Sequence, residues 1–245
     1  MDTIELLKRL IDNNEKEIFP IILQKYIKTK NLSFLSSLYS IEEYRALKSI
    51  YIDQNILQAK QHFYICGRLD LYLINNHHAA IRPARLVNAL LSDNSTVIND
   101  YTRLKRKKTE LDSLSFNAMH SILNNNMNAL ARDIEITEKA IKRSRNFWVR
   151  FYELCKEYYK GVLENDKTKV EEAIIQLVEP KFQKKRARKD IVNVLDFHGV
   201  GFAKLAWLRG LKIEINSPLV PQELLPFKPN KEYTMPYDFL EDNFI

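Results

Sequence analysis

Glycine is scarce in this chain: 5 of 245 residues, against a usual frequency of about 7%. That scarcity excludes glycine-rich nucleotide loops and argues against barrels and sandwiches, whose tight turns need left-handed backbone. Cysteine is scarcer still. Cys66 and Cys155 both sit in apolar helical patterns, so they read as reduced core residues of an intracellular protein and not as a disulfide framework. Proline is missing from long stretches: none falls between Pro20 and Pro83 or between Pro83 and Pro180, while five of the eight follow Asn216. No apolar run reaches the roughly 18 residues of a membrane span. The opening MDTIELLKRLIDNNEKE is charged and amphipathic and has no apolar signal core, so a soluble, cytoplasmic protein is expected. Gly199-Val200-Gly201 lacks the Lys-Ser/Thr of a phosphate loop and the third glycine of a dinucleotide turn, and no H-E-x-x-H occurs. No cofactor or metal is expected.

What is present is a helical pattern. At 45% hydrophobic and 28% charged the chain can bury a sizeable core. Ile4, Leu7, Leu10 and Ile11 share one helical face. Asn14 with Glu17, Ser40 with Glu43 and Thr168 with Glu171 have capping-box spacing. Pro83 suits the first turn of a helix carrying Leu86, Val87 and Leu90. Apolar stripes continue through Leu111 to Leu123, Met127 to Ile141, Phe147 to Val162 and Val170 to Val178. These readings predict an all-α fold: an irregular array of about nine or ten helices packed as antiparallel hairpins, closed by a short extended proline-rich segment. No signature recurs at a fixed period, and residues 1–245 are expected to form a single helical domain.

The block from Asp190 to Pro229 is the most ordered-looking. Ile191, Val194, Leu195, Phe202, Leu205 and Leu208 mark a buried helix, with Gly210 placed as its C-cap. LKIEI (211–215) alternates as one strand would, and Pro218, Pro221, Pro226 and Pro229 then forbid regular structure. Within this block, Asp196, Gly199, Ala203, Leu205, Ala206, Arg209 and Gly210 are followed by Ile213, Ile215 and the run Ser217-Pro218-Leu219-Val220-Pro221, then by Glu223, Leu224, Leu225 and Pro226. That pattern resembles the C-terminal part of the immunity protein 49 family of bacterial polymorphic toxin systems. Leu86 to Tyr101, LVNALLSDNSTVINDY, is similar to the family's middle region. The resemblance implies an all-helical cytoplasmic protein that binds and neutralises one cognate toxin domain.

The charge pattern is compatible with such a partner. The net charge is +7, and residues 181–189 hold six cations in nine positions, which repel one another and favour counter-charge. Lys184, Lys185, Arg186 and Arg188 are the expected partner-binding residues; a solvated connector after Pro180 is the plainer reading. Two further basic clusters, 103–108 and 142–145, leave a nucleic-acid-binding module as the alternative, provided all three clusters share one stripe. Catalysis is not expected. His62, Cys66 and Asp70 lie on one helical stripe, but the outer two stand about 12 Å apart along the axis. Asp196 and His198 point to different faces. Glu153 and Glu157 sit among Lys156 and Lys160 as on any solvated helix. The aromatic cluster Phe147, Trp148, Phe151, Tyr152, Tyr158 and Tyr159 covers more than one helix face, so its second side is either core or interface.

Overall fold

In a computed structural model, residues 3–77, 83–104, 111–143, 148–186 and 194–240 are described. They are helical with no strand among them. The elements run α1 (Thr3–Asn13), a π-turn (Asn14–Ile18), α2 (Phe19–Thr29), α3 (Leu32–Tyr51), α4 (Ile56–His77), α5 (Pro83–Leu91) and α6 (Ser95–Thr102). They continue with α7 (Leu111–Leu123), α8 (Met127–Arg143), α9 (Val149–Glu164), α10 (Lys167–Leu177), α11 (Pro180–Arg186) and α12 (Phe197–Leu208), with 3-10 turns at Gln222–Leu224 and Asp238–Leu240.

Local chemistry places the helix ends. Asn31, Asn94, Asp166 and Asp196 each stand in extended backbone and accept a hydrogen bond from an otherwise orphaned N–H of the first turn of α3, α6, α10 and α12. The capping boxes expected at Ser40–Glu43 and Thr168–Glu171 do not form. Ser40 lies inside α3, where its hydroxyl bonds back to the Ser36 carbonyl at 3.1 Å, because Asn31 has already started that helix. Asn165, at φ +55°, ends α9, and Asp166 two residues ahead of Thr168 caps α10. Asn14 likewise bonds back to the Leu10 carbonyl at 2.8 Å. Pro20 sits in the first turn of α2, where its missing N–H costs nothing.

Consecutive helices pack as hairpins: α3 with α4, α4 with α5, α7 with α8, α8 with α9, and α9 with α10. The element that joins them is α12. It is apolar on every side, a property of helices surrounded by protein, and it packs on α5, α7 and α10. Gly199 and Gly201 allow this. A Cβ at Gly201 would overlap the Val87 side chain of α5, and one at Gly199 would overlap Val178 after α10. The helix expected from Asp190 begins only at Phe197: Val194 and Leu195 are buried but not helical, because the Asp196 carboxylate caps the Gly199 N–H at 2.9 Å and sets the start. Ile191 lies outside the described residues.

LKIEI is not a strand. Leu211, Ile213 and Ile215 are buried and Lys212, Glu214 and Asn216 are exposed, so the period of two is real. No strand among the described residues pairs with the segment. Its backbone is served instead by side chains: Trp207 Nε1 donates to the Ile213 carbonyl at 2.9 Å, Gln222 Nε2 donates to the Ile215 carbonyl at 2.8 Å, and the Glu214 N–H reaches Glu171 at 2.9 Å. Gly210, at φ +83°, makes the reversal that leads into it.

From Lys228 the chain runs along one face of α4. Leu57, Lys60, Gln61, Tyr64 and Arg68, at helical spacing, engage it in order. The Leu57 carbonyl accepts from Asn230 at 2.8 Å and Lys60 donates to the Lys228 carbonyl at 2.7 Å. Gln61 holds both the N–H and the carbonyl of Thr234, Tyr64 packs on Tyr233, and Arg68 donates to the Leu240 carbonyl at 3.0 Å. One contiguous set of buried apolar residues spans Leu7 to Leu240.

Candidate functional site

The basic run begins in a helix, not a connector. In the seven-residue α11, Gln183 is buried and Phe182 half-buried, while Lys181, Lys184 and Lys185 are exposed. Pro180 starts it where its φ is already helical, and α10 supports it. Lys184 and Lys185 therefore share an anchored surface turn. Arg186 closes that helix, and Arg188 lies outside the described residues. Of the other basic clusters, Arg103 follows α6 and Lys142 and Arg143 end α8, exposed; residues 105–110 and 144–147 lie outside the described residues.

The aromatic cluster of α9 is core on both sides. Phe151, Tyr152, Tyr158 and Tyr159 are all buried, because α9 is sandwiched by α8 and α10 and touches α7. Tyr158 stacks on Phe202 with ring centroids 4.2 Å apart. Trp148 is 41% exposed; Phe147 lies outside the described residues.

The side chains with candidate chemistry are engaged in structural contacts. His62, Cys66 and Asp70 face inward along α4, and each finds its own partner. His62 meets Glu42 at 2.7 Å, Cys66 donates to the Tyr39 carbonyl at 3.6 Å, and Asp70 takes Arg85 at 2.6 Å and the Tyr101 hydroxyl at 2.5 Å. Burial alone would raise the Glu42 carboxyl, but His62, Arg45 and Tyr237 outweigh it and hold the group below its ordinary range. Burial pushes the Cys66 thiol well up, which keeps it protonated and unreactive. Asp196 is spent as a helix cap, and His198 sits edge-on to Phe151 with ring centroids 4.9 Å apart. Glu153 and Glu157 pair with Arg150 and Lys156 on the surface. No group of three or more metal-ligating side chains occurs among the described residues.

A third buried network was invisible in the sequence. Asp93, at φ +57° in the turn between α5 and α6, receives Lys204 of α12 at 2.5 Å and Lys60 of α4 at 2.8 Å. All three are buried. Lys204 also donates to the carbonyls of Leu224 and Pro226 at 2.8 and 3.0 Å, so two hydrogen bonds and the ion pair with Asp93 hold its ammonium. Asp93 in turn accepts the Lys228 N–H at 3.1 Å. Desolvation, only partly offset by Asp93, lowers the Lys204 ammonium to about 8. A lysine with a lowered pKa is often a nucleophile. This one is sealed from solvent and held by an ion pair and two hydrogen bonds, and its work is to pin residues 224–228 onto the helices.

Beside the pinned segment, the described residues form a groove of about 920 Å³. The end of α3 (Ile50, Tyr51), the α3–α4 turn (Gln54) and the end of α12 (Trp207) form one side, and residues 214–223 form the other. The Tyr51 hydroxyl donates to the Pro218 carbonyl at 3.0 Å and ties the two sides together. Trp207, Pro218 and Pro221 also line this groove. Glu214 and Glu223 stand in it as well. The sequence showed Glu223 only as part of the C-terminal pattern and Glu214 only within the 211–215 alternation, because the groove is assembled from segments about 160 positions apart.

A family model described as Immunity protein 49 matches residues 79–224, more than half of the chain. No curated protein and no solved structure matches.

Proposed function

The chain belongs to the immunity protein 49 family, and from that premise we propose that it binds and neutralises one cognate toxin domain in the cytoplasm, by direct protein contact and without catalysis. The observation that carries the reading is the family match over residues 79–224. The structure is compatible with it. The perturbed buried groups are consumed by structural bonds, and no described helix is long and apolar enough to cross a membrane. A binder that must silence a toxin in its own cell needs a Kd of about a nanomolar or below, worth about 12 kcal/mol. A preformed helical scaffold helps by limiting the entropy lost on binding. In this reading Lys184, Lys185, Arg186 and Arg188 supply charge that speeds capture of an acidic toxin surface.

The test is capture followed by rescue. Tagged protein is used to draw partners from nuclease-treated lysate of its own host at about 0.15 M and about 0.5 M salt, a range over which phosphate contacts weaken steeply. One polypeptide retained at both salts is then expressed with and without this protein. The expected result is growth arrest by that polypeptide alone and growth when the two are co-expressed. Recovery of nucleic acid before nuclease treatment and of nothing after it overturns the proposal and favours a nucleic-acid-binding module.

A further inference from the structure

The groove carries a charge opposite to that of the chain around it. Lysine and arginine total 38 against 31 acidic residues, yet the charged residues lining the groove are Glu214 and Glu223, with no lysine or arginine among the lining residues. Both glutamates are exposed, and neither carboxylate is in an ion pair among the described residues. The Tyr51 hydroxyl on the opposite side is pushed up by burial and then by the charges of Asp196 and Glu223, so the field is negative there too. Between the acidic groups the half-buried Ile56 and Trp207 give the lining an apolar part, beside polar Gln54, Asn216, Ser217 and Gln222, with Ile50 and Ile215 buried beneath. The wall at 212–216 is neither helix nor strand, its side chains alternate between buried and exposed, and the Asn216 N–H and carbonyl make no hydrogen bond among the described residues. A partly apolar trough with two carboxylates and an unbonded backbone position at Asn216 fits an extended chain that alternates apolar and cationic side chains.

Resting on the toxin-binding reading, we infer that this groove seats an extended segment of the toxin in which arginine or lysine alternates with apolar residues. Its arginines or lysines meet Glu214 and Glu223, and its apolar side chains cover Trp207 and Ile56. The toxin is then held by two surfaces of opposite charge, this groove and the cationic turn of α11, which favours a partner whose own charge is patterned to match both.

Two probes test this on the full-length chain. The first is a short fluorescein-labelled peptide alternating leucine and arginine, compared with its leucine–glutamate counterpart by anisotropy. The arginine peptide is expected to bind the wild type, to bind Glu214→Lys/Glu223→Lys about tenfold more weakly, and to bind Lys184→Glu/Lys185→Glu as it binds the wild type. The glutamate peptide is expected not to bind. Equal affinity for the wild type and the Glu214→Lys/Glu223→Lys variant, no binding of the arginine peptide, or equal binding of the glutamate peptide overturns the inference. Both substitutions are at exposed positions, and an unchanged thermal melt confirms that the variant is folded. The second readout is toxin rescue. Full rescue by Glu214→Lys/Glu223→Lys overturns the groove as a toxin seat and leaves the immunity reading intact, whereas failure of the wild type to rescue defeats that reading. Sedimentation covers the remaining occupant: a wild-type dimer that becomes a monomer in the glutamate variant assigns the groove to a second copy of this chain and overturns the inference.

Discussion

At the scale of the residue, Gly210 and Lys204 show opposite sources of constraint. Nothing lies within 4 Å of a Cβ built on Gly210, yet its φ is +83°. The cost of Gly210→Val is therefore conformational strain alone, about 1–2 kcal/mol or more for a β-branched side chain. Urea unfolding should show that loss with partner binding retained; unchanged melting with lost binding would refute the structural assignment. Lys204 is constrained by burial. Its folded pKa of about 8 lies below the 10.5 of a free lysine, so between those values the unfolded chain holds a proton that the folded chain has released. Stability must then rise with pH across that window, by about 3 kcal/mol at most. Above about pH 10 the sign reverses, because burial keeps Tyr101 and Tyr158 protonated in the folded state while the unfolded chain ionises. Chemical unfolding between about pH 7 and about pH 10 should show the rise in the wild type, and Lys204→Met should flatten it.

At the scale of the element, α12 is the piece on which the packing turns. Gly201 lies so close to Val87 that an added methyl overlaps that side chain. Gly201→Ala should destabilise by about 1–3 kcal/mol. Combined with Val87→Ala, the loss should be smaller than the sum of the two single losses, by about 0.5 kcal/mol or more. Strict additivity in thermal or urea unfolding would mean that the two side chains do not meet. The same helix shows why boundaries were harder to read than helices. The apolar periodicity continues upstream through Val194 and Leu195, but a single carboxylate, Asp196, ends it by capping the first turn. Capping residues compete, and the winner depends on which backbone is already extended. That is why Asn31 prevails over Ser40 and Asp166 over Thr168.

At the scale of the whole molecule, a net charge of +7 acts on association more than on residence. Lys184→Glu/Lys185→Glu should lower the on-rate for the captured toxin by about tenfold at low salt and leave the off-rate within about twofold, with the difference vanishing at high salt. Surface plasmon resonance at two ionic strengths measures this. A change confined to the off-rate would place those lysines in a desolvated contact instead. The glutamates of the groove should behave in the opposite way, because Glu214 and Glu223 border a partly apolar trough where a bound cation is partly shielded from water.

The sequence by itself determined the all-helical class, most of the helices and the glycine stop at Gly210, each from local chemistry: apolar period, missing glycine and proline, and a positive φ that glycine tolerates. The family entered through the resemblance of the 190–229 and 86–101 patterns. The sequence also showed the alternation of 211–215 without showing that no partner strand exists among the described residues. Pairing is a relation between segments, and only the folded chain reveals that Trp207, Gln222 and Glu171 take the ladder's place. For the same reason the tertiary structure alone decided that both faces of α9 are core, that Asp93 gathers Lys60 and Lys204 from distant helices, and that Glu214 and Glu223 share a groove with Tyr51. Burial and charge pairing depend on which surfaces meet in space, and nothing in the local order of residues encodes that.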